Sequence, residues 1–189
     1  MKEITTGRTS LRTLFFDSLR LVLVTLVVHF LWRCWANDLC YFPFTEIMQK
    51  SFFPYTTAFI SRQAELTLLQ FPNMDFIRIS NTFHLVGGSQ LRVTAGCDGV
   101  KQMVQFAAVI GFARGKWNVK LCFISMGIIL IHNVNVLRIS LLCCVSSTCP
   151  QYWDFFHDMF FRSVFYVVIF LLWICWVEKF AQRKKTRLC

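Results

Sequence analysis

The sequence predicts an all-α integral membrane helical bundle of about four transmembrane helices, with an amphipathic interfacial helix and a small external β-hairpin. Three observations carry that expectation. Of the 189 residues, 56% are hydrophobic and 21 are Phe, more apolar than a soluble domain of this size, so lipid must be part of the solvent. Several apolar runs approach the length needed to cross a hydrocarbon core of about 30 Å. The net charge of +10 is not spread along a face; Lys and Arg gather at the ends of the apolar runs, as orientation signals do. No basic face interleaved with exposed aromatics is visible, so no nucleic-acid partner is expected, and membrane lipids are.

The chain reads as one membrane-embedded domain, 1–189. Residues 14–36 form the first span, with LRLVLVTLVVHFLW at its centre and Trp32 and Trp35 in an interfacial aromatic belt. No small-x-small cleavage site follows Trp32, so this segment is read as a retained anchor. Region 37–96 is expected outside the membrane. Within it, residues 49–71 carry Pro54, Arg62, Gln63 and Glu65, which suit an amphipathic helix on the interface better than a span. Residues 75–95 alternate in part around Gly87-Gly88, the pattern of a hairpin. Its edges need water or protein around them, because open strands do not survive in lipid. The second span, 97–113, is short, about 25 Å at 1.5 Å per residue, and crosses if held inside a bundle. Spans three and four occupy 119–145 and 155–178, and 179–189 is a basic tail.

Positive charges flank these spans at Lys2, Arg8, Arg12 and Arg20, at Arg114, Lys116 and Lys120, and along the tail from Lys179 to Arg187. The positive-inside rule puts all three groups in the cytoplasm. Four crossings then bring Cys97, Arg138 and His157 to the outer face, from an argument that used none of the three.

Each of these residues has its own chemistry. An arginine inside an apolar helix costs about 2.5–3.5 kcal/mol on insertion scales, so Arg138 is a candidate functional group, with snorkelling to headgroups as its bland explanation. His132, Asn135 and Arg138 follow at three-residue steps, a polar stripe that should point at partners. Cys97 lies among small residues in AGCDGV; a helix N-terminus and Lys101 would favour its thiolate, while Asp98 would oppose it. His157, beside Asp158, opens the last span at the water boundary, and imidazole is the usual base for a thiol nucleophile.

This ordered set resembles the exosortase/archaeosortase family of membrane transpeptidases. The resemblance rests on AGCDGV at 95–100, NVLRI at 135–139 and FFHDMF at 155–160, in that order on three consecutive membrane helices. The family pattern is a Cys followed by a small residue and Gly, then Asn-x-x-Arg, then His at the start of a later helix. Asp98 departs from it, and so do Phe161 and Arg162, which stand where a Gly usually follows the His. The resemblance implies a thiol protease and transpeptidase of the bacterial cytoplasmic (inner) membrane with its active site facing the periplasm. Catalysis would fall to Cys97, Arg138 and His157, supported by Asn135, His132, Gly99 and Asp158. Substrates would be exported proteins ending in a short motif, a membrane helix and a basic tail. Their acceptor would be a lipid or glycan nucleophile. No cofactor and no metal is implied.

Other readings remain open on the residues alone. His29 and His132 lie near mid-membrane and could face each other across a haem, but His132 is better assigned to supporting Asn135 or Arg138. The nine Cys include five inside apolar runs, which suit packing. A four-helix membrane thiol oxidase is the alternative enzyme, although such enzymes exchange disulfides through paired cysteines, typically Cys-x-x-Cys, and none occurs here. A non-catalytic membrane subunit is the third reading, and it expects Cys97, Arg138 and His157 to lie apart.

Overall fold

The computed structural model describes residues 3–36, 44–71, 74–85 and 88–178. Cys40, Gly87 and the basic tail lie outside these residues. The first helix, α1 (Glu3–Ala36), contains the 14–36 apolar segment. A helical stretch follows the gap, from α2 (Thr45–Ile47) through a π-turn at Met48–Phe52 into α3 (Phe53–Leu68). Pro54 accounts for the wide turn: it has no amide hydrogen, and its ring would clash with the carbonyl of Lys50 in a regular α-helix.

The extended region departs from the expected single hairpin. It is a three-stranded antiparallel sheet of β1 (Phe76–Ile79), β2 (Thr82–Leu85) and β3 (Gln90–Arg92), in that order. The first turn falls at Ser80-Asn81, where Ser80 takes a left-handed φ of 57°. Gly88, with φ 84°, lies between β2 and β3 instead. Ser-Asn is a quieter turn signal than Gly-Gly, so the first strand pair was hidden inside one apparent run. Phe83 and Leu85 of β2 point into a core, and Arg78 of β1 binds Glu65 of α3 at 2.7 Å.

Two long helices complete the chain. After Gly99, α4 (Val100–Phe112) leads through a short link to α5 (Trp117–Thr148). A 3-10 turn (Pro150–Tyr152) and a π-turn (Phe155–Phe160) then lead into α6 (Phe161–Trp176). Among the described residues, Trp117–Thr148 and Phe155–Trp176 are long and apolar enough to cross a membrane, each with a mean hydropathy of 2.0. Val100–Phe112 is a shorter apolar helix.

Packing divides these elements into two cores. One joins Ile60, Ala64 and Leu68 of α3 and Phe83 of the sheet to Ile139 and Leu142 of α5. Small residues let the helices approach: Ala64 is fully buried against α5, where the Ser140 hydroxyl donates to the Val136 carbonyl of its own helix. The other core joins Phe106 and Ile110 of α4, Ile131 of α5, and Phe165, Ile169 and Trp173 of α6. Phe106 occupies the space that a side chain at Gly127 would need, so α4 and α5 meet closely there. The boundary between the two cores runs across α5 between Ile131 and Ile139, just before α4 begins and just before α6 begins.

Candidate active site

Cys97, Arg138 and His157 meet at that boundary. Cys97 lies in the turn before α4, not on its first helical turn, and its amide donates to the Thr94 carbonyl at 2.8 Å. Gly99 then takes φ 76° to enter the helix. A side chain is excluded here twice over: that φ disfavours L-residues, and a Cβ would lie 2.8 Å from the Asn135 side chain. Asn135 is fully buried and its Nδ2 donates to the Cys97 carbonyl at 3.1 Å. The backbone at Cys97 is therefore fixed by α5.

The Cys97 sulfur stands 3.7 Å from His157 Nε2. His157 projects from the π-turn, which brings it inward at the start of the last span; π-turns of this kind recur at functional positions. Three groups hold its ring. Asp158 Oδ1 lies 3.1 Å from Nδ1, Arg162 donates to the same oxygen at 3.1 Å, and Trp153 stacks on the imidazole at 5.3 Å with planes 13° apart. A carboxylate only accepts, so in neutral His157 the ring proton sits on Nδ1 and the Nε2 lone pair faces the thiol.

Arg138 approaches from α5. It is only 7% exposed, its guanidinium lies 5.5 Å from the Phe165 ring centroid, and it makes a side-chain interaction with Cys97. Its Nε has no partner, and neither has Asn135 Oδ1. A buried donor left open costs about 1–3 kcal/mol, so an unfilled donor beside a thiol is a place prepared for an acceptor atom.

The remaining candidates divide. Asn135, Gly99 and Asp158 are in direct contact with the cluster. His132 is not; its ring tilts against Phe59 of α3 at 5.7 Å. Helix geometry explains the separation, since two three-residue steps turn about 120° around the axis, and the stripe from His132 to Arg138 leaves one face. His29 is engaged by Lys101 Nζ at 2.9 Å, so Lys101 is directed at α1 and not at the thiol.

Sequence reasoning missed four contributors. Trp153 has a signal that could have found it, since its four-residue spacing to His157 matches one helical turn. Arg162 carries the same signal toward Asp158. Thr56, whose hydroxyl lies 2.7 Å from Asp98 Oδ2, and Phe165, under Arg138, are brought in by tertiary packing and have no local signature.

Comparison with known proteins identifies the chain at the level of family. The family described as transmembrane exosortase matches residues 4–174. No curated protein and no solved structure matches the chain. Nearly the whole length lies within the family match, so the chain belongs to the transmembrane exosortase family.

Proposed function

We propose that the protein is a membrane cysteine transpeptidase that cleaves C-terminal sorting signals of exported proteins and transfers the cleaved protein to an acceptor. The observation that carries the reading is the thiol–imidazole approach of 3.7 Å, with Arg138 against the same sulfur. His157 Nε2 accepts the Cys97 proton, and the thiolate attacks the scissile carbonyl carbon. The electron pair moves onto the carbonyl oxygen, and the open guanidinium donor of Arg138 stabilises that oxyanion. Collapse expels the amine, which takes its proton from His157, and leaves a thioester on Cys97. A lipid or glycan nucleophile then loses its proton to His157, attacks the thioester and restores the thiol.

The same reading assigns four membrane crossings: the apolar part of α1, then α4, α5 and α6. Arg114, Lys116 and Lys120 then lie on the cytoplasmic side and Cys97 on the periplasmic side of the inner membrane. The α3 helix and the sheet form an external cover. The test is Cys97→Ala in intact cells, with exported proteins of the expected tripartite type followed by their mass. Uncleaved substrate supports the reading, and unchanged processing removes it. An impermeant thiol reagent checks orientation separately; labelling of Cys97 only after the membrane is opened would reverse the topology.

A further inference from the structure

Asp98 adjoins the nucleophile and takes no part in the steps above. Its side chain is completely buried. Oδ1 accepts the Val100 amide at 3.0 Å, and Oδ2 lies 2.7 Å from the Thr56 hydroxyl. Thr56 belongs to α3, so one buried carboxyl joins the nucleophile turn to the external cover. Burying a carboxylate without a cation is unfavourable unless something compensates. The charged groups around the turn are directed elsewhere. Arg138 of α5 interacts with Cys97, Arg162 and His157 both pair with Asp158, and Lys101 of α4 pairs with His29.

The hydrogen-bond chain around Asp98 has two complete arrangements. Thr56 Oγ1 lies within reach of both Asp98 Oδ2, at 2.7 Å, and the Phe53 carbonyl, at 3.1 Å, and has one proton to give. With Asp98 ionised, that proton goes to the carboxylate. With Asp98 neutral, the carboxyl donates to Thr56 and Thr56 donates to Phe53. No heavy atom needs to move, and the Val100 amide keeps its acceptor in both states.

We propose that Asp98 is a positioning residue for the Cys97 thiol, clamping the nucleophile turn to Thr56 of α3 in either protonation state while its charge tunes the neighbouring sulfur. Burial pushes the carboxyl up from 3.8 to about 6, with the Thr56 and Val100 hydrogen bonds opposing that rise. The change of charge therefore falls close to neutral pH. Above it, a negative charge stands beside Cys97 in the turn; below it, a neutral carboxyl stands there. The folded carboxyl binds its proton more tightly than the unfolded one, so its contribution to stability increases as pH falls from about 6 toward 3.8.

The inference rests on Cys97 being the nucleophile, and its test needs no substrate. The full-length protein in bilayer nanodiscs is treated with iodoacetamide across pH 5–9, and alkylation of the Cys97 peptide is followed by mass spectrometry. The expected wild-type profile has an inflection near 6. Asp98→Asn, which keeps an acceptor for Val100 and a partner for Thr56, removes that inflection and speeds alkylation several-fold at pH 7.5. Thr56→Val moves the inflection upward by about one pH unit, a tenfold change in proton affinity, and Thr56→Ser restores it. An Asp98→Asn profile superimposed on wild type overturns the proposal, as does a Thr56→Val profile with its inflection unmoved. If Cys97→Ala leaves sorting intact while these profiles behave as expected, the proposed function fails and the coupling of Asp98 to the thiol stands.

Discussion

The two ends of α4 are built from the same parts and finished differently. Each has a glycine pressed against a large side chain: Gly99 against Asn135, and Gly115 against Trp176, where a Cβ would lie 2.6 Å from the indole. Each has a buried cation on α5, Arg138 at one end and Lys120 at the other. At the Gly115 end the polar groups are satisfied. Lys120 Nζ donates to the Gly111 carbonyl at 2.7 Å and lies 4.5 Å over the Trp117 ring, and Trp176 Nε1 donates to the Arg114 carbonyl at 3.1 Å. At the Gly99 end, Arg138 Nε and Asn135 Oδ1 are buried without partners. A closed hydrogen-bond set is a clasp. An open one beside a thiol and an imidazole has capacity left for a substrate atom.

The contrast breaks most sharply at Cys97, the proposed nucleophile. Cys97→Ala should reduce sorting by at least about a thousandfold, since removing the attacking group from a catalytic unit is rarely compensated; cleavage of a tagged substrate in membranes measures it. Residual turnover within tenfold of wild type would move the chemistry elsewhere. The two cations give the next largest difference. Arg138→Met should lower kcat by about 10²–10³-fold, the range for loss of one oxyanion donor. Lys120→Met should leave kcat within about twofold and lower the Tm, because it vacates a hydrogen bond and a cation–π contact that touch no reacting atom. Equal losses of kcat would erase the distinction between the ends.

Much of this arrangement was legible in the sequence, because Cys97, Asn135, Arg138 and His157 are chemically out of place in or beside apolar runs. An expensive residue in such a run needs a reason, and position along the helices gave a common depth. What the sequence lacked was rotation and partner choice. His132 shares the three-residue step with Asn135 but turns away toward Phe59. Lys101 adjoins the thiol in the chain yet faces His29. The β1–β2 turn was invisible because Ser80 adopts a left-handed φ of 57° without the glycine that advertises it. Thr56 reaches Asp98 across 42 residues of chain, a pairing fixed only when α3 settles on α5.

The glycines sharpen the comparison at a smaller scale. An added methyl at either position meets a packed side chain and costs about 1–3 kcal/mol, so Gly99→Ala and Gly115→Ala should lower the Tm similarly. Only Gly99→Ala displaces Asn135, which holds the Cys97 carbonyl, so only it should also lower kcat per folded molecule, by about tenfold. Loss of kcat in both would mean that the far clasp also sets the site geometry.

The smallest effect is expected at Asp158. Its carboxylate selects the His157 tautomer, and a buried carboxylate in such a role is worth several orders of magnitude. Here the side chain is 59% exposed and already shared with Arg162, so water screens the charge and can replace the acceptor. Asp158→Asn should therefore lower kcat only about three- to tenfold, and Trp153, which stacks on the same ring, should keep the imidazole near the thiol in its absence. The measurement is kcat for Asp158→Asn, Trp153→Ala and the double variant. If stacking and the carboxylate back each other up on one ring, the double variant loses far more than the product of the two single losses. Simple multiplication would mean that the carboxylate and the indole act on His157 independently, each with its own share in keeping the open end of α4 ready.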